Sequence, residues 1–351
     1  MRVLVATDAW HPQVNGVVRT LTSLARSARG LGVEIEFLSP EGFRSLPVPT
    51  YPSLRLALPH PGAVARTIAA LEPDAIHIAT EGPVGMTTRA CCLKRGLTFT
   101  TSYTTQFPEY IAARWAIPET WTYAALRRFH APAAVTMVST PSLAAALSQR
   151  GFEHLGRWTR GVDTDLFAPH RAIDLDLPRP IFLTAGRIAV EKNLAAFLAL
   201  DLPGSKVVVG EGPQETELRC AFPDAHFVGL KHGTDLAAHI AAADVFVFPS
   251  RTDTFGVAQL EALACGVPVA AFPVMGPKDV IGDRPVGALS EDLRTACLQA
   301  LALPRDACRA FALTCSWENS ARQFISHLKP IAVGRARAPV ATLPVAATAN
   351  S

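Results

Sequence analysis

The sequence predicts an α/β fold made of two doubly wound units, and three observations carry that prediction. The chain has 351 residues, about twice the ~150 at which a single domain usually closes its core. Hydrophobic residues make up 49% against 18% charged, enough apolar surface for sizeable cores and too little charge for a disordered chain. Short β-branched runs alternate with stretches of helical composition, and the alternation occurs twice over. Parallel strands joined by helical crossovers give that pattern.

In the first half, Arg2-Val3-Leu4-Val5-Ala6-Thr7 is a buried-strand run ending at Asp8, followed by a polar loop from Trp10 to Gly16 and a helix over 17–28. Further strand runs fall at Glu34–Leu38, Ala75–Ile78 and 98–102, with helical stretches at 62–71 and 84–94. Residues 161–169, Gly-Val-Asp-Thr-Asp-Leu-Phe-Ala-Pro, and the Pro- and Asp-containing stretch to Pro180 read as a linker. Domains are therefore expected at 1–160 and 161–330. The second half places strands at Ile181–Ala185, 206–209, 226–228, Val245–Phe248 and 268–271, with helices near 193–199, 214–219, 235–242 and Val257–Ala264. Residues 331–351 are rich in Ala, Pro and Val without a usable period, the composition of a disordered tail.

The net charge of +3 is too small to mark a nucleic-acid binder. Residues 1–160 nevertheless carry 16 Lys and Arg against 10 Asp and Glu, so the first half is +6 and the remainder −3. Sampling between two independent cores accounts for that asymmetry, as does a basic face that meets an anionic partner or membrane surface. The seven cysteines are odd in number and never spaced C-x-x-C, against a disulfide framework or zinc knuckle and in keeping with a reducing cytoplasm. The N-terminal apolar run is too short for a signal peptide, and no segment has 18 uninterrupted apolar residues. A cytoplasmic protein is expected, with any membrane contact peripheral.

Missing motifs narrow the chemistry. There is no G-x-x-x-x-G-K-[ST] phosphate loop and no G-x-G-x-x-G in the first βα turn; G-x-S-x-G and H-E-x-x-H are absent too. Two stretches in the second half are more informative. Gly186-Arg187-Ile188-Ala189-Val190-Glu191-Lys192-Asn193 follows a strand directly and opens a helix. Arg187 and Lys192 thus sit at the C-terminal edge of a parallel sheet, where a forked donor and a point charge suit a diphosphate. Two solvated surface cations would look the same locally. The second stretch runs from Phe248 through Asp253, Thr254, Phe255, Gly256 and Val257 to Glu261 and Val269. Its helix N-terminus offers free amides to an anion, with Gly256 permitting close approach. Asp253 and Glu261 beside such a site would bond sugar hydroxyls, or else be an N-cap and an ordinary helical Glu.

Together these segments resemble the family-4 retaining glycosyltransferases of GT-B architecture. Asp253 and Glu261 are similar to the two acidic positions of that family's E-x7-E signature, with aspartate in the first. Residues 186–193 resemble its G-R-x-x-x-E-K-N segment, residues 161–169 its G-V-D-x-x-x-F-x-P linker and Val209-Gly210-Glu211-Gly212-Pro213 its V-G-x-G-P turn. The resemblance implies two facing Rossmann-like domains with a cleft between them, and a last helix near 317–328 packing back on the first domain. It implies that Arg187 and Lys192 bind a donor diphosphate, that Gly186 and the Thr254–Val257 backbone lie against it, and that Glu261 binds ribose hydroxyls. Asp253 would contact the transferred sugar, one methylene short of the usual reach, and Leu230 would lie at the base-binding edge.

On the acceptor side, residues 7–20 resemble the family loop that approaches the donor phosphate, making Asn15 and Gly16 candidates. Residues 79–85, with Glu81, and residues 101–110, with Tyr103 and Thr104, resemble a branch similar to GDP-mannose-dependent α-mannosyltransferases and sulfoquinovosyl diacylglycerol synthases. Thr104 stands where many relatives have a histidine; His77, inside a strand, reads as structural. Arg114, Trp115, Trp121, Tyr123, Arg127 and Arg128 interleave aromatics with cations, which suits either an interfacial segment on anionic lipid or a core-facing helix with a basic edge. The expected activity is retaining hexosyl transfer from a nucleotide-diphosphate sugar to a lipid or glycan hydroxyl, with no cofactor, metal or nucleic acid. A nucleotide-sugar 2-epimerase and a non-catalytic sugar-nucleotide sensor are the alternatives.

Overall fold

A computed structural model describes residues 1–11, 16–48, 51–104 and 118–331. In the first half the strands are β1 (Arg2–Ala6), β2 (Glu34–Leu38), β3 (Ser45–Val48), β4 (Tyr51–Ala57), β5 (Ala75–Ile78), β6 (Thr100–Tyr103), β7 (Thr136–Val138) and β8 (Leu155–Arg157). The second half has β9 (Ile181–Ala185), β10 (Ser205–Val209), β11 (His226–Phe227), β12 (Val245–Phe248), β13 (Val269–Ala271) and β14 (Gly287–Leu289). Two six-stranded sheets form, in the orders β2-β1-β5-β6-β7-β8 and β11-β10-β9-β12-β13-β14. Every pairing within them is parallel. These are two Rossmann-like domains, as the alternation predicts.

Strand burial explains the apolar runs. β5, β6, β7 and β12 are buried along their whole length, because helices cover both faces of each sheet. The strand order reverses between β1 and β5 in the first sheet and between β9 and β12 in the second. At such reversals adjacent crossovers leave in opposite directions, opening a crevice at the strands' C-terminal ends. Both crevices therefore lie where the sequence places its candidate residues. The hairpin β3–β4 stands apart as a two-stranded antiparallel sheet.

The chain crosses between the halves twice. At the first crossing Val162 and Phe167 are buried, and Asp163 Oδ1 accepts from the amides of Asp165 (3.2 Å) and Leu166 (2.9 Å). At the second, Ser316 bridges to Val162, after which the helix Trp317–His327 lies against the helix Gly16–Gly30. There Ala321, Phe324 and Leu328 share a core cluster with Val3, Val5, Leu21 and Trp158. The Trp158 indole N–H donates to Ser320 Oγ at 3.1 Å. All seven cysteines are free. Among the described residues no helix is long and apolar enough to cross a membrane, and no group of three or more His, Cys, Asp or Glu is placed to hold a metal ion. Residues 332–351, including nearly all of the expected tail, lie outside the described residues.

Candidate active site

The loops after β9 and β12 flank the reversal in the second sheet. Arg187 is exposed at the sheet edge beside Gly186. The helix expected near 193–199 runs from Leu194 to Leu198, and the stretch ahead of it, Val190–Lys192, is a single 3-10 turn. Asn193, left-handed at φ 53°, separates the two, a conformation asparagine tolerates better than most residues. Its amide donates to Pro249 O at 3.1 Å, while Ser250 Oγ donates to Glu191 O at 3.1 Å, so the two loops are tied together. Gly210 backs this arrangement, because a Cβ there would stand 1.9 Å from Gly186 O.

Lys192 then faces Asp253, its Nζ donating to both carboxylate oxygens at 2.8 Å. Asp253 is therefore not the N-cap of the helix Val257–Ala264; that position is Gly256, at φ 80° and with no side-chain cap. A side chain at Gly256 would meet the Phe248 ring at 2.5 Å and the Gln259 amide at 2.6 Å. The uncapped first turn leaves amides near Thr254, Phe255 and Val257 for another acceptor. Glu261, one turn along, is no solvated helical Glu: it is 3% exposed and bonded by Arg19 of the first half. Burial pushes its carboxyl pKa up, and the Arg19 charge and hydrogen bond pull it back. Leu230 is exposed after the turn in which Gly229 O accepts from Gly210 N at 2.9 Å.

Across the cleft, Gly16 is the exposed first residue of the helix Gly16–Gly30. Asn15 lies outside the described residues, as do Arg114 and Trp115. Glu81 is buried, with Oε1 3.3 Å from His130 Nε2; its Oε2 has no partner among the described residues. His130 Nδ1 lies 2.9 Å from Thr101 Oγ1, completing a buried chain. Tyr103 is 1% exposed, and its ring packs in a core cluster with Leu126, Val138 and Leu143. Thr104 meets the second half through its backbone, its carbonyl accepting from Thr254 Oγ1 at 3.0 Å. Ser139 Oγ donates to Thr254 O at 3.1 Å.

Three residues beyond the sequence candidates belong to this region. Asp8, at the end of β1, accepts from Thr80 Oγ1 (2.8 Å) and from the amides of Val84 (2.7 Å) and Gly85 (3.2 Å), capping the helix Pro83–Arg95. Arg19 and His130 complete the set. Asp8 is visible in sequence as a carboxylate closing a strand. Arg19 and His130 reach their partners only through the fold.

The halves match separate family models, Glycosyltransferase Family 4 over residues 14–166 and Glycosyl transferases group 1 over residues 179–303. Over 319 residues the chain is 30% identical to a GDP-mannose-dependent alpha-mannosyltransferase of Mycobacterium tuberculosis, spanning 82% of this chain and 83% of that one. This chain belongs to glycosyltransferase family 4. The glycosyltransferase is also 30% identical over 277 residues to sulfoquinovosyl transferase SQD2 of Arabidopsis thaliana, covering 73% of this chain and 54% of the relative. In fold it matches sucrose-phosphate synthase of Thermosynechococcus elongatus, TM-score 0.73 at 18% identity over 93% of this chain and 97% of that one. Anabaena HepE in complex with UDP-glucose gives TM-score 0.70 at 14% identity over 93% and 98%. These likenesses show the GT-B architecture. Membership of the family sets glycosyl transfer above the epimerase alternative.

Proposed function

We propose that this glycosyltransferase moves a hexosyl group, with retention at the anomeric carbon, from GDP-mannose to a lipid hydroxyl such as that of diacylglycerol. The observation that carries the reading is the pair of cation–carboxylate contacts beside one uncapped helix start, Lys192–Asp253 and Arg19–Glu261. The mannosyltransferase relative supports the donor and the SQD2 relative supports a lipid acceptor. Arg187, Lys192 and the amides before Val257 stabilise the charge of the departing diphosphate without a metal. Glu261 accepts from the ribose hydroxyls, and Asp253 from the sugar. The leaving phosphate oxygen takes the acceptor's proton as the acceptor oxygen bonds the anomeric carbon on the same face. Trp121, 72% exposed on the helix Glu119–His130 with Arg127 and Arg128 in its last turn, supports peripheral contact with anionic lipid.

Purified protein incubated with GDP-mannose, UDP-glucose or UDP-glucuronate and diacylglycerol vesicles, with and without EDTA, tests all of this by product mass. Mannosyl-diacylglycerol insensitive to EDTA is the expected result. Product from a UDP donor alone reassigns the donor, and product with soluble acceptors alone removes the lipid. Nucleotide binding without turnover on any acceptor would establish a non-catalytic sugar-nucleotide sensor instead.

A further inference from the structure

Arg19 lies on the helix Gly16–Gly30 of the acceptor half, yet its guanidinium bonds Glu261 on the helix Val257–Ala264 of the donor half. The two side chains differ sharply in setting: Glu261 is 4% exposed and Arg19 43%. Among the described residues, the charged and titratable groups facing Glu261 are Arg19 and Cys265, which follows the end of its own helix. The Cys265 thiol is buried and pushed up to about 12, so it stays neutral; Arg305 and Arg309 face Cys265 from the helix Arg305–Thr314. Among the described residues Arg19 is thus the cation that meets this carboxylate, and it comes from the other half.

We propose that Arg19 is a positioning residue for the donor, holding Glu261 ionised and oriented from across the cleft so that its carboxylate receives the ribose hydroxyls. The proposal rests on the reading of Glu261 as the ribose-binding group. An ionised carboxylate is acceptor-only, with room for Arg19 and for hydroxyl donors together, whereas a protonated one turns part of its capacity into a donor. Burial favours the protonated form and Arg19 opposes it. Because the opposing charge sits on the other half, the acceptor strength of the ribose site depends on how the halves are closed.

The test is calorimetric titration of GDP and UDP into the full chain at several pH values, for wild type, Arg19→Gln, Arg19→Lys and Glu261→Gln. Arg19→Gln is expected to lose about tenfold in affinity at the acid end of the series, equivalent to about 1.4 kcal/mol. The loss should shrink as pH rises and the Glu261 carboxyl ionises without the help of Arg19. Arg19→Lys should keep the wild-type profile within about threefold, and it decides the matter if the glutamine variant does not fold. Glu261→Gln should lose affinity equally at every pH. A pH-independent loss, or none, in Arg19→Gln while Glu261→Gln still weakens binding overturns this inference alone. Unchanged nucleotide binding in Glu261→Gln overturns the ribose reading itself.

Discussion

Lys192 and Asp253 show how far local sequence carries at the residue scale. The segment from Gly186 to Asn193 points to a cationic sheet edge by itself, but the bidentate contact with Asp253 depends on two loops meeting 61 residues apart. Lys192→Ala is expected to lower kcat/KM about 100-fold, the usual cost of one donor to a developing anion. It should move stability by less than about 1 kcal/mol, since the pair is partly exposed. A stopped assay with GDP-mannose and a denaturant titration check the two halves of that statement. His77 is legible as structural from its place inside a strand. It is fully buried, with ring nitrogens 2.9 Å from Thr100 Oγ1 and 3.2 Å from Ser102 Oγ, and burial lowers its pKa to about 3. The unfolded chain binds a proton below about pH 6.5 that the folded chain refuses, so stability held above that pH drains away as pH falls toward 3. In His77→Asn the urea midpoint should fall less steeply with acid than in wild type. Glu81 is a candidate from sequence, but its contact with His130 is beyond the reach of sequence, for 49 residues separate them and only the β5–β6 pairing and the helix Glu119–His130 bring them together.

At the scale of elements, the apolar runs of the two sheets declare themselves more readily than the strands at their far edges. The helix Val257–Ala264 and the strands Glu34–Leu38 and Ala75–Ile78 coincide with their sequence expectations. The three-residue strands β7, β8 and β14 escape the sequence reading although β13, equally short, does not, and the hairpin β3–β4 has proline in both strands. The helix expected near 193–199 is present as Leu194–Leu198, whereas the bond of Asn193 to Pro249 that sets the loop ahead of it is announced by no local pattern. The helix Trp317–His327 has a consequence at this scale. Phe324 is wholly buried against the acceptor half, where its ring lies 5.0 Å from Trp158 and 4.9 Å from His77. Phe324→Ala should destabilise that half by about 3–5 kcal/mol. Calorimetry would register this as a lowered transition in the half that lacks the mutation in sequence.

For the whole molecule, the two sheets were legible from a repeated alternation, and the side on which the halves meet was not. Thr254 illustrates the meeting: its hydroxyl donates to Thr104 O and its carbonyl accepts from Ser139. Ser142 N donates to Asp279 Oδ1 at 3.0 Å nearby. Thr254→Val removes one such bond, worth about 1 kcal/mol net. We expect the donor KM to rise about fivefold with kcat nearly unchanged, alongside a larger radius of gyration by solution scattering. The return of Phe324 to the bed formed by Val3, Leu21 and Trp158 also governs the order of biosynthesis. A domain at the front of a chain ordinarily folds as it leaves the ribosome. Here the acceptor half must wait with an unfilled seat until the donor half and the helix Trp317–His327 have been translated, so a nascent chain stalled before Trp317 should be more sensitive to protease in its first 160 residues than in the finished enzyme.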